Sequence, residues 1–180
     1  PGEWQACLDS VIALAEAPAW IVGSGSLPAG VPADFFARLA RAARARGARV
    51  VLDTSGPALA SALDEGVYLA KPNLRELREL TGCALEAEED WARAARELVN
   101  AGKAEIVALS LGHHGALLAT RGLLLRAPAL QVAIASTVGA GDSFVAALVC
   151  RLAAGGSLDE AFRYGVAGGT AALLAPGTRL

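Results

Sequence analysis

The sequence predicts a three-layer αβα fold with a mainly parallel sheet, formed as a single domain over residues 1–180. Short apolar runs that are typical of buried strands alternate with stretches that have the apolar spacing of helices. Parallel strands need a long, usually helical connection, so this alternation favours parallel pairing. A loop rich in Gly, Ser, Asp or Asn follows each run. Because ligands bind such sheets beyond the carboxyl ends of the strands, we expect these loops to meet at one edge.

Three of the predicted strands lie in the first half of the chain. Gly, Ser and Pro residues mark the loop after the first strand, and Pro32 and Gly47 have the positions of a helix start and stop. Asp53 and Lys71 each stand at the end of an apolar run, which places them at the carboxyl edge of the sheet. The predicted elements are a helix over 4–17, a strand over 20–22, a loop over 23–30, a helix over 32–47, a strand over 49–53, a helix over 57–65 and a strand over 67–70.

The second half adds one strand, a hairpin and four helices. Asn73 is a favourable N-cap, and Gly82 and Gly102 have the positions of helix ends. Arg121-Gly122 separates two apolar runs, which predicts a hairpin. The predicted elements are helices over 74–80 and 86–101, a strand over 105–109, a loop over 110–115, hairpin strands over 117–120 and 123–126, and helices over about 140–154 and 158–174.

Composition argues against membrane and nucleic-acid partners. The chain is 54% hydrophobic, but no run approaches the roughly 18 uninterrupted apolar residues of a membrane span. Net charge is −2 and no basic block is present, so no nucleic-acid partner is expected. The three cysteines are widely spaced and form no ligand pattern, as is typical of reduced thiols in a cytoplasmic protein. The sequence starts at Pro1 and contains no Met, so we expect a piece or a processed product of a longer chain.

The most informative stretch is Ser136-Thr-Val-Gly-Ala-Gly-Asp-Ser-Phe144. A glycine turn precedes an apolar run that predicts a helix, so free backbone N–H groups and the helix dipole would favour an anion, typically a phosphate. Asp142 follows the turn directly. This carboxylate is either a base beside the bound phosphate or a residue that complements the helix dipole, and local features leave both open.

Several common site motifs are absent from the sequence. There is no Gly-Lys-Ser/Thr after a glycine loop, no Gly-x-Gly-x-x-Gly and no Gly-x-Ser-x-Gly. A P-loop, a dinucleotide fingerprint and a serine-hydrolase elbow are therefore not predicted. His113 and His114 are adjacent in a turn, and adjacent histidines rarely ligate one metal ion well, so we expect exposed loop residues.

Lys71, Asn73 and Glu76 form a second candidate cluster after the third strand. Asn73 and Glu76 lie three residues apart, so both face one side of a first helical turn. The spacing favours a capping box, and the alternative places Glu76 near a hydrated Mg²⁺ ion, which phosphoryl transfer requires. Lys71 is either a solvated lysine or a phosphate contact.

Several stretches of this sequence resemble motifs of a known family, the ribokinase-like (PfkB) carbohydrate kinases, and specifically of its phosphofructokinase branch. The stretch 136–144 is similar to the C-terminal signature of that family. The other stretches that resemble it, in the expected order, are Gly23-Ser-Gly-Ser-Leu-Pro-Ala-Gly30, Asp53-Thr-Ser-Gly56, Lys71-Pro-Asn-Leu-Arg-Glu76, Ser110-Leu-Gly-His-His-Gly115, Gly165-Val-Ala-Gly-Gly-Thr-Ala-Ala and Gly177-Thr-Arg-Leu180.

The resemblance implies a role for each matched residue. Asp142 would be the base that takes the proton from the sugar hydroxyl, and Asn73 and Glu76 would position Mg²⁺, largely through water. The implied backbone donors to the transferring phosphoryl group are Gly139, Ala140 and Gly141. The implied nucleotide contacts are Lys71 and Asn73 at the phosphates, Ser110, Gly112 and Gly115 along the site, and Val166, Gly169 and Thr170 near the adenine. The implied monovalent-cation loop, for an ion such as K⁺, comprises Ser136, Val138, Ala172, Ala175, Gly177 and Arg179. Ser24 and Gly25 would lie on the sugar-phosphate side.

The implied activity is ATP-dependent phosphoryl transfer to a sugar phosphate, expected to be fructose 6-phosphate. A 1-phosphofructokinase, a tagatose-6-phosphate kinase and an inactive nucleotide-binding fragment stay open as alternatives. Family members carry an N-terminal half with a β lid and most sugar contacts, which this sequence lacks. We therefore expect an incomplete ribokinase-like fold with an exposed sheet edge, inactive alone, that forms a homo-oligomer or pairs with a missing N-terminal segment.

Overall fold

A computed structural model describes residues 2–177 as one six-stranded sheet with helices on both faces. The helices are α1 (Glu3–Ile12), α2 (Phe35–Ala45), α3 (Gly56–Glu65), α4 (Leu74–Thr81), α5 (Glu88–Asn100), α6 (Ala140–Ala153) and α7 (Leu158–Leu173). The strands are β1 (Trp20–Ser24), β2 (Arg49–Asp53), β3 (Val67–Ala70), β4 (Ala104–Ser110), β5 (Ala116–Ala119) and β6 (Leu124–Ala127). A single 3₁₀ turn, Gly112–His114, follows β4. The three-layer architecture is the one predicted.

The strands lie in the sheet in the order of the sequence. β1 to β4 pair in parallel, and β5 and β6 add an antiparallel hairpin to β4. The predicted hairpin and the predominance of parallel pairing are therefore confirmed. Ser24 lies opposite Asp53 in the register of β1 and β2, so the carboxyl ends of these strands stand side by side.

Alternate residues of the central strands enter two separate cores. In β2, Val50 and Leu52 pack with α2, α3 and the neighbouring helices on one face, and Val51 packs towards Phe144 of α6 on the other face. The three side chains are at most 3% exposed. A strand that is buried on both faces appears in the sequence as the continuous apolar run Val-Val-Leu, which is why β2 was predictable.

β1 is an edge strand within residues 2–177, because it pairs with β2 alone. Val22 in its centre keeps 49% of its surface exposed. Trp20 packs edge-on against Tyr68 of β3 at 5.2 Å between ring centroids, and Arg49 stacks on both rings. The exposed sheet edge that the sequence predicts is present at β1.

Several predicted boundaries are wrong, most by one or two residues. The first helix ends at Ile12 instead of 17, because the guanidinium of Arg46 binds the carbonyls of Ile12 and Leu14. Strand β1 continues past residue 22, since its pairing with β2 extends to Ser24. Helix α2 starts at Phe35 because residues 32–34 form a turn closed by the Phe35 N–H and the Pro32 carbonyl. Helix α5 starts at 88, where Asp90 accepts a hydrogen bond from the backbone N–H of Ala87.

Candidate active site

The predicted anion turn lies at the start of α6. Gly139 is the N-cap in the left-handed region at φ +80°, and Ala140 and Gly141 begin the helix. Glycine provides no side chain to cap the first turn of this 14-residue helix, and the Ala140 N–H makes a long 3.4 Å contact to the Thr137 carbonyl, so the turn can offer backbone N–H groups to a ligand. The helix dipole adds positive potential at the same point, which suits a phosphoryl group.

Asp142 occupies the first turn of α6 with its side chain exposed. Its Oδ1 accepts a hydrogen bond of 2.5 Å from the hydroxyl of Ser24, the last residue of β1. Two residues that the sequence assigns to different roles, base and sugar-phosphate contact, therefore touch each other. Gly25 follows at once, and its N–H donates to the carbonyl oxygen of Asp53 at 2.9 Å.

A buried ion pair lies against the same helix turn. Lys71 Nζ is 3.1 Å from Asp53 Oδ1, and the two side chains are 5% and 16% exposed. Burial raises the pKa of the Asp53 carboxyl, the Lys71 ammonium opposes that rise, and the charges of Glu76 and Asp142 add to it. Glu76 and Asp142 are thus near enough to the buried pair to act on the charge of Asp53.

Asn73 and Glu76 form a capping box at the start of α4. The Glu76 N–H donates to Asn73 Oδ1 at 2.9 Å, and the Asn73 N–H donates to Glu76 Oε2 at 2.8 Å. The capping box that the spacing predicts is therefore present. Glu76 is 9% exposed. It uses Oε2 for the cap, and its Oε1 lies 4.0 Å from Arg75.

A cleft of about 620 Å³ opens between the β4 loop, the start of α6 and helix α7. Gly115 sits at the loop end of the cleft at φ +92°, where a Cβ atom would collide with the backbone of residues 127–129. The predicted residues that line the cleft are Asn73, Ser110, Gly112, Gly115, Ala140, Gly141, Val166, Gly169 and Thr170. The predicted residues that do not line it include Lys71, Glu76 and Asp142, which lie at the adjoining sheet edge.

Small residues of α7 let it approach α6 closely. A Cβ atom on Gly168 would lie 2.8 Å from the Ser143 carbonyl oxygen, and one on Gly169 would lie 3.1 Å from that of Ala140. The close approach places Val166 and Thr170 in the wall of the cleft. The anion turn and the cleft are thus joined through the packing of these two helices.

The predicted monovalent-cation residues come from two segments that meet at the end of α7. The N–H groups of Ala135 and Ser136 both point to the carbonyl oxygen of Leu173, at 2.7 and 3.4 Å. The Val138 N–H donates to Ser136 Oγ at 3.1 Å. Ser136 and Val138 are thereby held beside the segment that carries Ala172, Ala175 and Gly177, whereas Arg179 lies outside the described residues.

A comparison with protein-family models gives one decisive result. The model for pfkB family carbohydrate kinases matches residues 3–180. The chain belongs to this family. The resemblance drawn from stretches such as 136–144 is thereby confirmed.

Curated pfkB relatives carry two different phosphofructokinase names. The chain is 45% identical over 176 residues to the ATP-dependent 6-phosphofructokinase isozyme 2 of Mycobacterium tuberculosis, a match of 98% of this chain and 52% of that protein. It is 43% identical over 165 residues to the 1-phosphofructokinase of Rhodobacter capsulatus, covering 89% and 52%. The chain therefore spans about half the length of the curated relatives it matches.

Solved pfkB structures share the fold. The phosphofructokinase-2 of Escherichia coli, solved in complex with potassium, aligns with a TM-score of 0.93 and 43% identity over 99% of this chain and 58% of that one. The same enzyme has been solved in a tetrameric inhibited form. The ribokinase-like fold of the present chain is confirmed by this agreement.

Sequence reasoning missed one wall of the cleft in this pfkB chain. The irregular segment after β6 contributes Leu130, Val132 and Ile134, and the first and last of these are 53% and 63% exposed. The sequence signal for this wall was the alternation of these apolar residues with Gln131 and Ala133. That signal is weak because no neighbouring strand or helix supports it. His113 is exposed as predicted, and it also lines the cleft.

Three further predictions can be compared with the described residues. Cys7, Cys83 and Cys150 are exposed thiols that form no disulfide with one another. Within residues 2–177 no group of three or more His, Cys, Asp or Glu side chains is arranged to hold a metal ion directly. No helix in that same range is long and apolar enough to cross a membrane.

Proposed function

We propose that this chain is the nucleotide-binding and catalytic part of an ATP-dependent kinase that phosphorylates a hydroxyl of a sugar phosphate, fructose 6-phosphate being the expected acceptor. The observation that carries the proposal is the position of Asp142. Its carboxylate stands in the first turn of α6, next to the half-buried backbone of Gly139, Ala140 and Gly141 and at the end of a cleft large enough for a nucleotide.

Each part of this arrangement has a task in phosphoryl transfer. ATP would lie in the cleft, with its adenine near Val166, Gly169 and Thr170 and its phosphates directed to the anion turn. The backbone N–H groups would stabilise the charge that develops on the transferring phosphoryl group. Asp142 would accept the proton of the attacking hydroxyl, which Ser24 and Gly25 at the end of β1 would help to place.

The charges at the sheet edge fit a bound Mg²⁺ ion. Glu76 and Asp142 act on the charge of the buried Asp53 carboxylate, and negative charge beside a phosphate site favours a divalent cation. Asn73 and Glu76 would hold the ion largely through water. When bound, the ion supplies charge neutralisation of the phosphates.

Other parts of the proposal rest on the comparisons and on the exposed edge of β1. Potassium is proposed at the loop that contains Ser136 and Val138, because the E. coli relative was solved with this ion. The match to 1-phosphofructokinases makes fructose 1-phosphate the second candidate acceptor, and tagatose 6-phosphate the third. The exposed edge of β1 supports self-association or pairing with a preceding segment, and a cytoplasmic location is retained as a prediction.

The test combines calorimetry with an assay of turnover. ATP binding is measured with and without Mg²⁺, and phosphoryl transfer is measured with fructose 6-phosphate, fructose 1-phosphate and tagatose 6-phosphate. Transfer to fructose 6-phosphate supports the whole proposal, and preference for another acceptor moves the assignment to that sugar. Binding without transfer to any acceptor supports a nucleotide-binding fragment. A folded chain that does not bind ATP contradicts the proposal.

A further inference from the structure

We infer that Asp53 is a positioning residue, whose carboxylate holds the ammonium group of Lys71 directly behind the anion turn. The inference rests on the proposed function, because it concerns the phosphate end of the same nucleotide site. Asp53 was predicted from the sequence to end a strand, and no contact with substrate or nucleotide is assigned to it above.

The first argument is the burial of the pair. Lys71 is 5% exposed, and Asp53 is the carboxylate within 4.0 Å of its ammonium group among the described residues. A buried ammonium ion without a counter-charge is strongly disfavoured, so this lysine stays at the sheet edge only while a partner compensates it. Asp53 therefore controls where the charge of Lys71 lies.

The second argument is the contact with the helix turn. A Cβ atom built on Gly141 would lie 3.2 Å from Asp53 Oδ2 and 3.4 Å from Lys71 Nζ. Both members of the pair thus lie beside Gly141, in the turn that is proposed to bind the phosphoryl group. The positive charge of the ammonium group therefore adds to the helix dipole beside the turn, and the Asp53 carboxylate offsets part of it.

The third argument is how firmly the two side chains are placed. Asp53 ends β2 and Lys71 follows β3, and the Lys71 N–H donates to the Leu52 carbonyl at 2.9 Å. The Asp53 carbonyl in turn accepts from Gly25 of the β1 loop. Sites built on adjacent strands are held more rigidly than sites built on loops. The pair is thus a fixed part of the sheet edge.

The consequence is that Asp53 contributes to phosphate binding through Lys71 and not by itself. When the carboxylate is removed, Lys71 turns away from the turn to regain solvent, and the phosphates lose its charge. Since Asp53 is itself negative, direct action on a phosphate would have the opposite sign, so that removing it would strengthen binding. The direction of the effect distinguishes the two cases.

The experiment is a double-mutant cycle on ATP affinity, measured by calorimetry at fixed Mg²⁺. Asp53→Asn is expected to weaken binding about tenfold, as expected for loss of one charge-assisted hydrogen bond. In the Lys71→Met background the same change is expected to alter affinity less than about twofold, because the effect passes through the lysine. If Asp53 had a merely structural role, Asp53→Asn would lower the midpoint of thermal unfolding, and its effect on ATP affinity would not depend on Lys71.

The controls make the result decisive. Asp64→Asn breaks an exposed Lys–Asp pair with Lys103 at 2.8 Å, which belongs to a different surface, and is expected to leave affinity unchanged. Asp53→Glu retains the charge and is expected to restore part of the affinity. If Asp53→Asn does not fold, the variant that carries both Asp53→Asn and Lys71→Met is used, because it leaves no uncompensated charge. Its ATP affinity is compared with that of Lys71→Met alone, and equal affinities support the inference.

Two results overturn it. Asp53→Asn that binds ATP as well as or better than the unmodified chain contradicts the positioning role while leaving the proposed function intact. An equal loss of affinity in both backgrounds contradicts the route through Lys71. If the unmodified, folded chain binds no ATP, the proposed function itself fails and the inference fails with it.

Discussion

Ser24 and Asp142 are 118 residues apart in the chain and share a hydrogen bond of 2.5 Å between the Ser24 hydroxyl and Asp142 Oδ1. The bond joins the carboxyl end of the edge strand β1 to the first turn of α6. It holds the carboxylate in one orientation. It also shows that Asp142 Oδ1 can accept a hydrogen bond from a hydroxyl group, which is the first contact that the proposed base would make with a sugar hydroxyl.

Asp142→Asn should therefore remove proton acceptance while keeping the shape of the site. We expect turnover to fall by several orders of magnitude, of which about 10²–10⁴-fold is typical for loss of a general base. ATP affinity should change little, because the phosphates are proposed to contact the backbone of Gly139, Ala140 and Gly141. Steady-state kinetics and calorimetry measure the two quantities, and near-normal turnover in this variant would rule out the base assignment.

Ser24→Ala provides the matched comparison for this prediction. It removes the hydroxyl that fixes Asp142 but leaves the carboxylate in place. Turnover should fall by much less than in Asp142→Asn, and the Michaelis constant for the sugar phosphate should rise. A loss as large as that of Asp142→Asn would assign the essential role to the pair instead of the carboxylate alone.

Gly141→Ala should weaken the anion turn. The added Cβ atom would press against Asp53 Oδ2 at 3.2 Å and Lys71 Nζ at 3.4 Å, so the ion pair or the helix turn must shift. We expect ATP to bind about tenfold more weakly, which corresponds to one charge-assisted hydrogen bond. Gly122→Ala is the control, because a Cβ atom there meets nothing within 4 Å and the residue is not in the left-handed region. Unchanged ATP affinity in Gly141→Ala would show that the turn is not a phosphate contact.

The fold was predictable because the strongest signals in the sequence are local. The run Val50-Val51-Leu52 is buried on both faces, and the Gly at 47 and 66 separates helices from strands. Parallel pairing then brings the strand ends to one edge, so that loops far apart in sequence, such as those of Ser24 and Lys71, were expected to approach each other. Boundaries were less predictable, since the end of α1 depends on a contact from distant Arg46.

The site was only partly predictable because pairings depend on register. Asp53 and Lys71 could each be placed at the sheet edge, but their ion pair needs the alignment of β2 with β3 and the position of α6. The cleft wall formed by Leu130 and Ile134 has no helical or strand period. Such segments acquire their place from the tertiary contacts, which for this segment include the bond from Ala135 to the end of α7.

Glu76→Gln should separate the capping role of this residue from a role in metal binding. The amide oxygen of Gln can still accept from the Asn73 N–H, so the free energy of unfolding should change by less than about 1 kcal/mol. Loss of the negative charge should lower the apparent affinity for Mg²⁺ in the presence of ATP by about 10–100-fold. Calorimetry at varied Mg²⁺ and urea unfolding measure these effects. Glu79→Gln, on the exposed side of the same helix, is the control, and an unchanged Mg²⁺ dependence in Glu76→Gln would leave capping as its sole role.

Gly168→Ala should destabilise the packing of α6 against α7. The added atom would lie 2.8 Å from both the Ala147 Cβ and the Ser143 carbonyl oxygen. Overpacking of about 1–3 kcal/mol is offset by a helix-propensity gain of up to ~1 kcal/mol, so we expect a net loss of about 1–2 kcal/mol in urea unfolding. Ala167→Leu adds more volume on the exposed side of the same helix and should stay within about 0.5 kcal/mol. Equal stability of Gly168→Ala and the unmodified chain would contradict the close contact.

Glu160 makes the stability of α7 sensitive to acid. The backbone N–H of Ser157 donates to Glu160 Oε2 at 2.9 Å and Arg151 lies 3.0 Å away, and these two contacts lower the pKa of the carboxyl below its ordinary value of 4.5. The unfolded chain therefore binds this proton more tightly than the folded chain. The stabilisation is fully present above pH 4.5 and is lost as the pH falls through the lowered pKa.

Glu160→Gln should consequently unfold more easily than the unmodified chain at neutral pH, and the difference should shrink on acidification below pH 4.5. Urea unfolding at a series of pH values measures this convergence. Glu89→Gln is the matched control, since Glu89 also lies in the first turn of a helix but accepts no hydrogen bond and forms no ion pair within residues 2–177. A difference that stays constant across this pH range would mean that the charge of Glu160 does not contribute, and that the hydrogen bond to Ser157 alone stabilises the helix start.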